Sequence, residues 1–140
     1  MDDNNPESSA SATFHPDQHT ASRALDLLEL FLEAQVIGDE ARAQLAIIVE
    51  ELVTNIVEHG QSRADQPVTL ALERSASEII LVLSDGGIAF DPCVPVEPSN
   101  APPERGGGAG LALVQKWAGT MSYERTKERN IVRLTIAVGA

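Results

Sequence analysis

Between Asp39 and Gly60 the residues Leu45, Ile48, Val49, Leu52, Val53 and Ile56 recur at i, i+3, i+4, i+7, i+8 and i+11, a spacing that gathers onto one stripe only in an α-helix. A helix with so continuous an apolar stripe must bury it against another apolar surface. The chain supplies that surface downstream. Val68, Leu70 and Leu72 alternate with Thr69, Ala71 and Glu73, which predicts a half-buried strand, and Ile79–Leu83 is an unbroken apolar run suited to a central one. Ser75–Ser77 joins the two as a hairpin. Upstream, Ser11–Phe14 reads as a short strand, and Ala24, Leu28, Phe31 and Leu32 mark a helix that follows Pro16-Asp17 and ends near Gly38. Leu111, Val114 and Trp117 mark a third, short helix that stops at Gly119. Met121 and Tyr123 suggest a strand, and Val132, Leu134, Ile136 and Val138 a last one, joined through Lys127–Asn130. The order predicts an α/β (α+β) two-layer sandwich: a mostly antiparallel mixed sheet covered on one face by about three helices.

A chain of 140 residues suffices for one domain with a real core, expected over residues 11–140 behind a disordered tail at 1–10. Twenty-one acidic against ten basic residues give a net charge of −11, which argues against direct nucleic-acid binding or an anionic membrane surface. The charge is uneven. Residues 1–104 hold 19 acids and 4 bases, whereas 105–140 hold 2 acids and 6 bases, so an anionic ligand belongs toward the C-terminal third. The single cysteine, Cys93, cannot form an internal disulfide, and no Cys/His cluster has zinc spacing. With no signal peptide or membrane span legible, a cytoplasmic location is expected.

Three places carry chemistry. On the long helix, Glu51, Asn55 and His59 stand four residues apart along one flank of the apolar stripe, while Glu50 points away. Asn disfavours helix interiors, so Asn55 invites a purpose: its amide oxygen suits a hard cation, with Glu51 one turn earlier as a base. A solvated polar edge is the plainer reading. Next, Ser84-Asp-Gly-Gly-Ile-Ala-Phe-Asp-Pro92 follows the central strand. An Asp at a strand end with glycines behind it lets backbone approach a flat ring while the carboxylate accepts from an exocyclic amine, although Asp-Gly-Gly also makes a tight turn. Last, Glu104-Arg-Gly-Gly-Gly-Ala-Gly-Leu111 opens a helix, the arrangement that cradles phosphate on unpaired N–H groups, with Arg105 and Lys116 adding charge. A flexible linker is its alternative. It is neither a Walker loop nor a dinucleotide fingerprint. Five prolines lie between Pro92 and Pro103, and with the flanking glycines they mark a loop, about 93–108, expected to act as a lid that orders on nucleotide.

Taken in chain order these pieces resemble the GHKL (Bergerat-fold) ATPases: Glu51-Leu-Val-Thr-Asn55 with His59-Gly60 is similar to their N-box, Asp85–Pro92 to the first glycine box, and Gly107–Leu111 to the second. The likeness spans roughly residues 11–138. Within that superfamily, Phe90-Asp91-Pro92, Leu113–Arg125 and Asn130-Ile-Val-Arg-Leu resemble the stand-alone anti-sigma factor serine/threonine kinases. The length leaves no room for a phosphoacceptor-His domain or a gyrase-type transducer. The resemblance implies ATP and Mg²⁺ as cofactors, with a STAS-domain anti-anti-sigma protein phosphorylated on serine and a sigma factor sequestered. It also implies a homodimer. By the same resemblance Glu51 is the general base and Asn55 the Mg²⁺ ligand, with His59 beside them. Asp85 and Gly87 meet adenine, Gly107, Gly108, Gly110 and Leu111 wrap the phosphates, and Arg105 neutralises transferred phosphate. A non-catalytic, nucleotide-gated binding switch of the same fold is the alternative, and Glu51 separates the two, because a pure binder needs no base.

Overall fold

In the computed structural model, which describes residues 8–60, 66–96 and 109–138, the elements run β1 (Ser9–Phe14), α1 (Thr20–Glu33), α2 (Asp39–His59), β2 (Val68–Arg74), β3 (Glu78–Asp85), α3 (Ala109–Trp117), β4 (Thr120–Thr126) and β5 (Arg129–Ala137). The strands form one sheet in the order β1-β2-β3-β5-β4, and all four pairings are antiparallel. The expected two-layer sandwich is present, and its mostly antiparallel sheet is antiparallel at every pairing among the described residues. β1 also begins earlier than expected, taking in Ser9 and Ala10 because both pair with β2.

Alternation along the strands decides which face the helices cover. On β3, Ile79, Leu81 and Leu83 are buried while Ile80 and Val82 are half-buried, so the continuous apolar run serves two unequal faces. The buried set meets Leu70 and Leu72 of β2, and Val132, Leu134 and Ile136 of β5, in register. Onto this face α2 lays Leu45, Ile48, Val49, Leu52 and Val53, all at most 4% exposed, and α1 adds Leu28, Phe31 and Leu32. Truncating such a leucine to alanine costs about 2–5 kcal/mol. Trp117 packs half-buried on the same core, which gives the short α3 its anchor.

Two boundaries differ from the sequence reading for clear reasons. α1 ends at Glu33 rather than near Gly38: it closes in a tighter turn, with Gln35 N–H donating to Leu32 O at 3.0 Å, and Arg42, in the first turns of α2, adds bonds to the carbonyls of Leu32 and Gln35 at 3.1 Å each. The β4–β5 connection is the two-residue turn Lys127-Glu128, with φ of 50° and 65°; Thr126 pairs with Arg129 across it. Positive φ at both central residues is the type I′ signature, so Arg129 and Asn130 belong to β5. Among the described residues no helix is long and apolar enough to cross a membrane.

Candidate functional site

Asp85 is the last residue of β3 and shares the helix-facing side with Leu83 and Leu81. The apolar rows of that face therefore end in a polar row, Asp85–Asn130–Arg125, aligned across β3, β5 and β4. Asp85 is 5% exposed. Its Oδ2 accepts from the Gly87 amide at 2.8 Å and from Asn130 Nδ2 at 3.3 Å; none of the hydrogen bonds among the described residues goes to Oδ1. Gly87 packs so tightly on the Gly60 carbonyl that a Cβ would overlap it, and Ile88 N–H donates to that carbonyl at 2.7 Å. These contacts tie the end of α2 to the loop after β3. A buried acceptor beside side-chain-free backbone can receive a flat ring that carries an amino group.

The second half of the site lies on α2 and α3. Glu51 and Asn55 are half-buried, one helical turn apart, with Asn55 Nδ2 donating to Glu51 Oε1 at 3.3 Å. This leaves the Asn55 carbonyl oxygen pointing away from Glu51, as a ligand for a hard cation would. The Glu51 carboxylate in turn rests against Gly110 in the first turn of α3, where a Cβ would collide with it. The first N–H groups of a helix have no intrahelical acceptor and carry its positive dipole end. A carboxylate is thus placed beside a natural phosphate-binding position.

The chain matches the histidine kinase-like ATPase domain over residues 14–136. It belongs to that family. A relative, the serine/threonine-protein kinase BtrW of Bordetella bronchiseptica, is 30% identical over 124 residues, covering 83% of this chain and 87% of its own length. The likeness to the histidine kinase-like ATPases is borne out, and an ATPase domain implies that the chain binds ATP.

Within this ATPase domain the structure brings Asp85, Gly87 and the end of α2 together, and Glu51, Asn55 and Gly110 together. His59 is the last residue of α2, next to the Gly60 that meets Gly87, and its ring lies 3.8 Å from the Glu58 carboxylate. The Leu111 side chain is 6% exposed within the core, so only its backbone is available to a ligand. Lys116 lies in the last turn of α3, about 10 Å along the axis from its N-terminus, and complements the helix dipole there rather than adding charge at a phosphate site. Arg105, Gly107 and Gly108 lie outside the described residues, as does the lid beyond Val96. The lid's first residues are fastened: Gln115 of α3 donates through Nε2 to the carbonyls of Pro92 (2.8 Å) and Val94 (2.7 Å), and its Oε1 accepts from Val96 N–H at 3.3 Å. Asp91 caps a turn by accepting from Cys93 N–H at 2.8 Å. Burial, then the Asp91 carboxylate, push the Cys93 thiol up.

Sequence reasoning missed Asn130, Tyr123, Arg125 and Gln115. For Asn130 a signal existed: it holds the same parity as Val132, Leu134 and Ile136, and an Asn at the buried phase of a strand needs partners.

Proposed function

We propose that this ATPase-family chain is a protein serine/threonine kinase. It transfers the γ-phosphoryl group of ATP to a serine of a STAS-domain anti-anti-sigma partner in the cytoplasm and, in its other role, sequesters a sigma factor. The observation that carries the transfer reading is the Glu51 carboxylate held against the first turn of α3. A module that only binds nucleotide has no use for a base at that place. Glu51 takes the proton of the partner's serine hydroxyl as its oxygen bonds to phosphorus and the bond from phosphorus to the ADP oxygen breaks; the products are phosphoserine and ADP. Asp85 accepts the adenine amine on Oδ1, and the α3 N-terminus, with Gly107, Gly108 and Gly110, receives the phosphates. Arg105 is the candidate for their charge neutralisation.

One amide oxygen from Asn55 fits Mg²⁺, which takes one or two protein ligands and completes its shell with phosphate and water. Bound there, the ion would offset phosphate charge. The kinase name of the Bordetella bronchiseptica relative supports the kinase reading; the partner assignment rests on the sequence resemblance to the anti-sigma factor kinases. Homodimerisation rests on the same resemblance.

The test is Glu51→Gln, followed by labelled-phosphate transfer to a STAS-domain protein and by ATP affinity. The reading predicts affinity within about threefold of wild type and transfer lowered by about 10²–10⁴-fold. Transfer at the wild-type rate would remove Glu51 as the base; no transfer by wild type itself would favour the nucleotide-gated binding switch.

A further inference from the structure

The buried Asn130 makes five hydrogen bonds, three to Asp85 and the loop that follows it and two to Tyr123 and Arg125 of β4. Its Oδ1 accepts from Tyr123 OH at 2.6 Å, from Arg125 Nη1 at 3.0 Å and from Phe90 N–H at 3.4 Å. Three donors on one oxygen leave the amide a single orientation. Nδ2 must then face the other way, and it donates to Ile88 O at 2.8 Å and to Asp85 Oδ2 at 3.3 Å. Arg125 spans the same loop by donating to Gly87 O at 2.9 Å. With Gly87 N–H also on Oδ2, both donors to Asp85 among the described residues occupy one oxygen, and the other oxygen is held in a fixed direction.

We infer that Asn130, set by Tyr123 and Arg125, is a positioning residue for nucleobase selection: it holds Asp85 so that Oδ1 accepts the exocyclic amine of adenine. The inference rests on the ATP reading of the site. Its chemistry is a matter of preorganisation. A carboxylate free to rotate would pay part of the hydrogen bond's gain as ordering cost, and would tolerate a ring lacking the amine almost as well. A carboxylate already locked discriminates, since a site built to receive an N–H rejects the analogue without one.

The test compares ATP with purine riboside triphosphate, which lacks only the 6-amino group, by calorimetric titration in saturating Mg²⁺. Asn130→Asp is nearly isosteric and keeps an acceptor for Tyr123, Arg125 and Phe90 N–H while replacing the donor that faces Asp85. Wild type is expected to bind ATP at least tenfold tighter than the analogue. In Asn130→Asp that ratio is expected to fall to within about twofold of one. Tyr123→Phe, which deletes one donor to Oδ1 and serves if the first variant fails to fold, is expected to cut the ratio about threefold. A ratio unchanged in the folded variants, even with both affinities lowered, would make Asn130 structural only and overturn the inference. Wild type binding neither nucleotide would overturn the ATP reading itself, and the inference with it.

Discussion

The two ends of the nucleotide site are built on opposite plans. At the base end, Asp85, Gly87, Asn130, Tyr123 and Arg125 form a bonded block in which backbone packs on backbone and nearly every polar atom has a partner within 3.4 Å. At the transfer end, Glu51 and Asn55 are half-buried and share one bond of 3.3 Å. On the proposed reading, recognition is preorganised at the base end, and the chemistry at the Glu51 end is left to be completed by ligand and partner. In free-energy terms, errors at the base end should cost binding and folding, whereas errors at the transfer end should cost rate.

The two glycines give the sharpest way to break that contrast. A Cβ at Gly87 meets the Gly60 backbone carbonyl, which has nowhere to go, whereas at Gly110 it meets the end of the flexible Glu51 side chain. Gly87→Ala is expected to lower the melting temperature by several degrees, through a loss of about 2–3 kcal/mol, and to weaken ATP at least tenfold. Gly110→Ala is expected to leave stability unchanged or raise it by about 0.5–1 kcal/mol, since alanine favours helix. It should still cut phosphotransfer about 10²-fold by displacing the base. Melting curves, ATP titration and transfer rates on both variants check this; equal losses of stability would dissolve the contrast.

A smaller effect sharpens it at the lid. Gln115→Ala removes all three bonds that fasten residues 92–96 to α3. It is expected to speed limited proteolysis near Val94 severalfold and to cost about 1 kcal/mol in denaturant unfolding, with ATP affinity changed less than by Gly87→Ala.

The smallest effect lies far from both ends and calibrates them. The Arg23 guanidinium, followed by the His19 amide, holds the Asp17 carboxyl below its usual range. A carboxyl depressed in the folded state contributes stability above its unfolded pKa, about 3.9, and loses it as pH falls through the lower folded value. Arg23→Ala should therefore lower the melting temperature slightly at pH 7, the loss staying small because both groups are exposed, and the difference from wild type should shrink as pH falls below about 3.9. A melting series from pH 2 to 7 checks it.

The fold was legible where pattern and burial agree. The stripe from Leu45 to Ile56 gives α2 nearly to the residue, and the alternation of Val68, Leu70 and Leu72 gives β2. The end of α1 was not, because the closing turn from Leu32 to Gln35 and the Arg42 bonds that reach back to it have no local signature. The β4–β5 turn hid for a related reason: Lys127 and Glu128 adopt positive φ without the Asn or Gly that usually announces it. In the site, Glu51, Asn55, Asp85, Gly87 and Gly110 could be found because their spacing and glycine neighbours are themselves a pattern. Asn130 showed only its buried parity on β5, and Tyr123 and Arg125 showed nothing, since their roles depend on the registers that set β5 beside β3 and β4 beside β5.

The central claim is that nucleotide binding and phosphoryl transfer are carried by separate groups within one cleft. Thermal shifts with ATP and Mg²⁺ on wild type, Asp85→Asn and Glu51→Gln test it most directly, since a ligand that binds only the folded state at about 100 times its Kd adds about 2.7 kcal/mol of stability. The account predicts a shift of several degrees in wild type and in Glu51→Gln, and none in Asp85→Asn. A shift equal in all three, or absent from wild type at millimolar nucleotide, would contradict it.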